Sequence, residues 1–366
     1  MPGWLRQLFK RLLRCVPPLY RLREQAVELR RTNAELRHEL KRLLVFDRAP
    51  GRLLAPILTE RAQTLRQTLP PPDMTARERA FVERTPIYRE LRNRFRTEDP
   101  TAARAVDVFG LTFWVPDDAC TPGSLSARIL TGRWLPVDDI ARVRRTVVGG
   151  TMLDVGANIG TTAIPRLALG DFAVVYAAEP HPANYECLVA NAVRNGLEGR
   201  LLPDRVAISS WDGDARLRES PQTGGHRLML SNRVRPGSTD VPCLTLDSWI
   251  ERLDVSPRDI TFIKVDVQGW DAHVLLGAPI LRAHRHIAWQ IELSPKLMRH
   301  AGIDMRVLCG ITSATFTHMQ QLDAGAQLAR SVTELPGLLE RIEASGSYTN
   351  VLLYNQAVEP AVQLSG

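Results

Sequence analysis

Thr151-Met152-Leu153-Asp154-Val155-Gly156-Ala157-Asn158-Ile159-Gly160 joins a short apolar run to a glycine-punctuated turn, with an acid at the junction. Such a run followed by a turn reads as the first strand and loop of a βα unit. Its glycines are spaced as Gly156 and Gly160, with Asn158 between, which is not the G-x-G-x-x-G fingerprint that brings peptide N–H groups onto a pyrophosphate. A carboxylate at Asp154 repels a pyrophosphate and attracts an ammonium or a sulfonium, as in S-adenosylmethionine. The two glycines still permit a tight turn and close approach of backbone to ligand.

Phe172 to Ala178 is apolar throughout, as parallel strands covered on both faces are, and it ends in Glu179-Pro180. Nucleotide folds of this class place an acid at the end of the second strand, where two carboxylate oxygens accept from both ribose hydroxyls. Glu179 stands 25 residues after Asp154, enough for a turn, a helix over Thr161–Leu169 and a return strand. The βα alternation then continues. A third strand end is read at Arg205–Ser209, placing Ala207 where an adenine rests, and further strands at Asp259–Val265, Ile287–Glu292, Ala314–Leu322 and Tyr348–Tyr354. The count is seven, the last antiparallel after a helix over Thr333–Ala344, and residues 211–245 are read as an irregular hairpin.

Together with Glu179-Pro180-His181-Pro182-Ala183-Asn184, Leu246-Asp247 and Ile263-Lys264-Val265-Asp266-Val267-Gln268-Gly269, the opening stretch resembles the FkbM family of S-adenosylmethionine-dependent methyltransferases. The likeness runs from about Gly150 to Leu293 and more loosely to Tyr354. It implies an α/β class I methyltransferase fold, Rossmann-like with a seven-stranded sheet, and O-methylation of a hydroxyl on a sugar, glycan or secondary-metabolite acceptor. It also implies that Asp154, Gly156, Ala157, Asn158, Gly160, Glu179, Pro180 and Asn184 hold the cofactor. Gln268 departs from the family, which often has Glu there.

The chain has 43 Arg and four Lys, so Lys264 inside a strand runs against its own bias. A buried lysine must be paired or shifted in pKa, and Asp266 lies two residues on, on the same strand face. Because a sulfonium methyl is already electrophilic, the enzyme has to align an acceptor oxygen and draw off its proton. Asp266 is nominated as that base or as the group orienting it, with His273 and Glu292 as second candidates and Lys264 as a further catalytic candidate. Asp266, Asp271 and His273 do not form a recognised metal-ligand spacing, so no metal is assigned. A hydride-transferring dehydrogenase and an inactive, membrane-tethered scaffold stand as rival functions.

Composition fits one large α/β core with an appendage. The net charge of +7 resides in residues 1–48, which hold 12 basic and 5 acidic side chains; the remainder is balanced, which argues against a nucleic-acid substrate. Five scattered cysteines without C-x-x-C spacing read as reduced thiols of a cytoplasmic protein. In residues 1–16, Trp4, Leu5, Leu8, Phe9, Leu12, Leu13 and Val16 form an apolar stripe against four cations, suited to a membrane surface or to the protein's own flank. Leu22, Leu29, Leu36 and Leu43, with Leu19, Ala26, Asn33 and Leu40, give heptads over 19–45 that predict a coiled-coil extension and a parallel homodimer, or a helix packed on its own domain. Residues 47–73 are read as a proline-rich linker, 74–149 as a cap with a hairpin turning at Gly110, 150–356 as the catalytic domain and 357–366 as a tail.

Overall fold

The computed structural model describes residues 51–67, 74–118, 120–230, 237–322 and 329–355. The expected membrane-surface helix at 1–16, the coiled coil at 19–45 and the tail lie outside the described residues. All the rest falls in one compact unit, Pro50–Gly366. Among the described residues no helix is long and apolar enough to cross a membrane, and Cys120, Cys187, Cys243 and Cys309 are free.

The first element corrects the linker reading, because Gly51–Gln67 is a helix with Pro56 inside it. Leu54, Leu58 and Ala62 recur every four residues and are buried, and that burial holds the helix despite the proline's missing N–H. Helices Ala76–Arg84 and Pro86–Phe95 follow, parted at Thr85, with Pro86 in the first turn of the second, where its lack of an N–H costs nothing. Strands β1 (Ala103–Val108) and β2 (Leu111–Pro116) form the expected hairpin. Its two-residue turn has positive φ at both Phe109 and Gly110, the primed geometry that matches strand twist. Helices Leu125–Ile129 and Val137–Arg144 complete this segment.

The core strands are β3 (Thr151–Val155), β4 (Val174–Ala178) and β5 (Leu201–Asp204). Next come β6 (Ala207–Ser209), β7 (Gly213–Arg218), β8 (Arg227–Leu228), β9 (Ser238–Thr245), β10 (Ile260–Val265), β11 (Ala288–Leu293), β12 (His318–Gln321), β13 (Arg330–Ser331) and β14 (Thr349–Tyr354). The main sheet has the order β13-β12-β14-β11-β10-β3-β4-β5. From β5 to β11 its pairs are parallel, while β14 runs antiparallel to both β11 and β12. Seven of these strands follow the Rossmann-like arrangement expected. The eighth, β13, is a two-residue edge piece that the sequence reading lacked.

Three further expectations need correction. The third core strand is Leu201–Asp204, not Arg205–Ser209; Pro203 lies in it because β5 is an edge strand, where a missing N–H breaks no ladder. Ala207–Ser209 is β6, which pairs with β9 in a separate four-stranded sheet, β6-β9-β7-β8, in place of a simple hairpin. The sixth strand is also shorter than read, since Ala314 and Thr315 end the helix Met305–Thr315.

Alternation along the strands divides the core in two. Leu153, Ile263, Trp289 and Leu353 pack on one face. Met152, Phe262, Ala288 and Leu352 pack on the other, beneath Leu54, Leu58, Phe113, Val115, Ile140 and Val143 of the N-terminal segment. The helix Gly51–Gln67, the hairpin and the helix Val137–Arg144 therefore close this face of the catalytic sheet, while Phe81, Tyr88 and Phe95 of the cap pack on the other.

Candidate active site

On that second face the strands change character toward their carboxyl ends. β3 runs from Met152 to Asp154, β10 from Phe262 to Lys264 and on to Asp266, and β11 from Ala288 to Gln290 and Glu292. Register sets Lys264 beside Asp154 on one side and beside Gln290 on the other. Glu292 faces Asn350 of the antiparallel β14. A polar row thus lies across four strands, at the edge where open α/β sheets bind ligands.

Lys264 is the centre of this row. Its Nζ lies 3.3 Å from Asp154 Oδ1 and 3.6 Å from Asp266 Oδ2. Asp154 is 0% exposed, whereas the Asp266 side chain is 34% exposed. Burial acts to lower the lysine pKa, but the two carboxylates outweigh it and raise it, so Lys264 is a fixed ammonium and not a base. Glu292 is the opposite case: burial, with the nearby Asp266 and Asp271 charges, pushes its pKa up to about 9. Its protonated form, which can donate as well as accept, is thereby favoured.

The loops after β3 and β10 touch. Gly156 has φ +77°, and a Cβ there would stand 2.1 Å from the Asp266 carbonyl oxygen, so only glycine allows the two loops to meet. Gln268, also at positive φ, donates from Nε2 to Asp266 Oδ1 at 3.4 Å. The residue that departs from the family pattern therefore orients the nominated base.

The tip of β4 supplies the second acid. Glu179 accepts the Asn158 N–H at Oε2 and the His181 N–H at Oε1, both at 2.9 Å. Burial raises its pKa to about 7 against those hydrogen bonds. Asn158 adopts φ +53° at the turn, and its Nδ2 reaches the Thr223 carbonyl at 3.0 Å. His181 caps the helix Pro182–Arg194 and stacks on His226 with ring centroids 3.7 Å apart.

A cavity of about 900 Å³ spans these tips. Of the residues read from the sequence, Gly156, Ala157, Asn158, Glu179, Pro180, Asn184, Ala207, Lys264, Asp266 and Glu292 line it. Asp154 does not: it lies beneath the turn, held by Lys264, and cannot contact a ligand directly. Gly160 also stands back, against Ile164 and Leu188. His273 lies elsewhere, stacked on Trp270 at 4.6 Å, with Nδ1 on Ser210 Oγ and Nε2 on the Ala301 carbonyl, so it is not a catalytic base. Asp271 accepts the N–H groups of Gly269 and Glu292 and is structural. Among the described residues no His, Cys, Asp and Glu cluster suits a metal ion.

The sequence reading missed Gln290, Asn350, Trp134, Tyr348 and Thr223, all in the cavity wall. Gln290 could have been found from the alternation that puts it two residues before Glu292. Thr223, in the 3-10 turn Thr223–Gly225, carries no such signal.

Comparison with known proteins matches residues 154–316 to the family model described as Methyltransferase FkbM domain. No curated protein matches the chain. Among solved structures, the chain is similar to a methyltransferase FkbM from Methylobacillus flagellatus KT at 16% identity and a TM-score of 0.36. That likeness covers 56% of this chain and 44% of the other, so the chain spans less than half of that relative's length. It is also similar to M. jannaschii TYW2, solved in complex with AdoMet, at 12% identity and a TM-score of 0.31, over 70% of this chain and 87% of that one. The stretch that carries the site, residues 154–316, is thus similar to the methyltransferase FkbM domain.

Proposed function

We propose that the protein transfers a methyl group from S-adenosylmethionine to a hydroxyl of a neutral, polyhydroxylated acceptor such as a sugar or glycan. The observation that carries this reading is the division of one cavity between two carboxylates, Glu179 at the tip of β4 and Asp266 beyond β10.

The donor fits the first of these. Each Glu179 oxygen accepts one backbone N–H, which leaves a further lone pair on each for a ribose hydroxyl. Ile208, Leu217 and Leu228 give an apolar wall close to Ala207 that suits a purine. When bound, the donor supplies an electrophilic methyl group on a sulfonium. Glu179 and Asp266 suit that positive charge and disfavour a pyrophosphate beside them.

The acceptor fits the second. Asp266 is half-exposed to the cavity, and Lys264 and Gln268 fix its direction. It takes the hydroxyl proton as the oxygen attacks, a contribution typically of about 10²–10⁴-fold. Glu292, holding its proton, donates to a neighbouring acceptor oxygen. Trp134 and Tyr348 offer ring faces for the C–H surface of a sugar, and Gln290, Asp139 and Asn350 offer polar groups for its hydroxyls. Asn350 Nδ2 donates to Asp139 Oδ2 at 3.1 Å, which holds that wall in place.

The test is incubation with methyl-labelled S-adenosylmethionine and a panel of neutral glycosides, amines and carboxylic acids. The reading expects label in a methyl ether, with S-adenosylhomocysteine as co-product. Label in an N-methyl or methyl-ester product overturns the choice of acceptor.

A further inference from the structure

The segment between β7 and β8 lines the cavity from Gln222 to His226 and is tied down at several points. Thr223 is 2% exposed, and every polar group it has is engaged. Its carbonyl accepts from Asn158 Nδ2 at 3.0 Å and from Asn184 Nδ2 at 3.1 Å. Its hydroxyl donates to Asn184 Oδ1. Its N–H donates to Asp118 Oδ2 at 2.7 Å, an oxygen that also accepts from Ser126 Oγ at 2.7 Å. Beside it Gln222 Nε2 donates to Thr121 Oγ1 at 2.6 Å, and His226 lies flat on His181.

Two of these partners, Asn158 and Asn184, line the donor side of the cavity, and Asn158 is also bound to Glu179. The other two, Asp118 and Thr121, belong to the loop after the β1–β2 hairpin. The strap therefore ties the N-terminal segment to the donor turn. Gly224 and Gly225 in the strap also line the cavity, so its backbone lies against whatever occupies that end. On the acceptor side, Asp266 and Asn350 hydrogen-bond to Gln268 and Asp139.

We infer that the segment Gln222–His226 is a latch over the nucleoside end of the donor site, with Thr223 as its positioning residue and Asp118 as its catch. This rests on the donor reading proposed above. A nucleoside enters and leaves only when the Thr223 contacts open, while the acceptor exchanges on the far side with the latch closed. The donor then binds before the acceptor, and release of the nucleoside product is slowed by the latch.

Asp118→Ala removes the acceptor of the Thr223 N–H, and Asp118→Asn keeps an amide oxygen in its place. Loss of a hydrogen bond to a charged group corresponds to about tenfold or more in an opening equilibrium. Two measurements are made on the full chain: hydrogen–deuterium exchange of the 219–228 peptide, and stopped-flow release of S-adenosylhomocysteine. Asp118→Ala should lose protection in that peptide and release the nucleoside about tenfold faster, with Asp118→Asn restoring both. Lost protection with unaltered release overturns the gate, and unaltered protection overturns the catch. Wild-type protein that binds neither nucleoside overturns the donor reading and the gate with it, whereas binding with unaltered release overturns the gate alone.

Discussion

Replacing Lys264 with methionine isolates the charge at the centre of the site. The side chain keeps an apolar stem but ends an atom short and brings no charge to Asp154, whose Oδ1 lies 3.3 Å from the lysine Nζ and which is 0% exposed. At an effective dielectric of about 20 the attraction across such a gap is roughly 5 kcal/mol before desolvation is counted. Removing one partner of a buried pair costs about 3–5 kcal/mol, since the other charge stays behind without compensation. Asp266, with its side chain 34% exposed, adds little. A loss of that size is a large part of the roughly 5–15 kcal/mol that stabilises a typical domain.

Urea unfolding followed by the fluorescence of the buried Trp249 and Trp289 reads it directly. The pH dependence supplies a second signature. In Lys264→Met the Asp154 carboxyl is raised above its unfolded value of about 4 by burial alone, so the fold then takes up a proton. Its stability is fully present below that value and is lost as pH rises, and the deficit relative to wild type should shrink on acidification from pH 7 toward 4. Asp154→Asn in the same chain should recover most of the loss. A deficit below about 1 kcal/mol at pH 7, or one that widens on acidification, would refute the pairing.

Three other outcomes follow from the same geometry. Asp266→Asn should leave donor affinity within about twofold while turnover falls by about 10²–10⁴, read by single-turnover methyl transfer. Burial and the neighbouring Asp266 and Asp271 hold the Glu292 pKa well above its unfolded value, so its protonated form favours the fold at low pH and stability drains as pH rises through the folded value. Glu292→Gln should flatten that decline, and urea midpoints at pH 5, 7 and 9 will show an advantage over wild type that grows with pH. Gly156→Ala should lower the melting temperature far more than Gly170→Ala. Both positions have positive φ, but only at Gly156 would the new Cβ meet a backbone oxygen, whereas Gly170 has nothing within 4 Å.

The parts of the fold legible in the sequence were those with a local cause. β3 and β4 are continuous apolar runs with an acid at or near the end, and the hairpin at Phe109-Gly110 has a glycine where positive φ is required. Pro56 misled because residues 47–73 were read as a proline-rich linker, whereas Leu54, Leu58 and Ala62 anchor a helix around it; the third strand was placed at Arg205–Ser209, past Pro203, which a sheet edge tolerates. In the site, Glu179 and Asp266 were visible because strand ends fix where side chains of known parity point. Asp154 was right in kind and wrong in contact, since it pairs in register with Lys264, two residues short of the level at which Asp266 faces the cavity. His273 failed because the turn before its helix sends it toward Trp270 and Ser210. Thr223 was invisible because its partners stand 39, 65 and 105 residues away.

Glu179 and the turn residues Gly156, Ala157 and Asn158 are the groups proposed to receive the adenosyl sulfonium. Titration calorimetry with S-adenosylmethionine and S-adenosylhomocysteine, on wild type and Glu179→Ala, tests this most directly. We expect wild-type binding of both ligands and a loss of about tenfold or more in the variant, equal for the two because the ribose is common to them. Wild-type protein that binds neither ligand, or a variant that binds both as tightly as wild type, would contradict it.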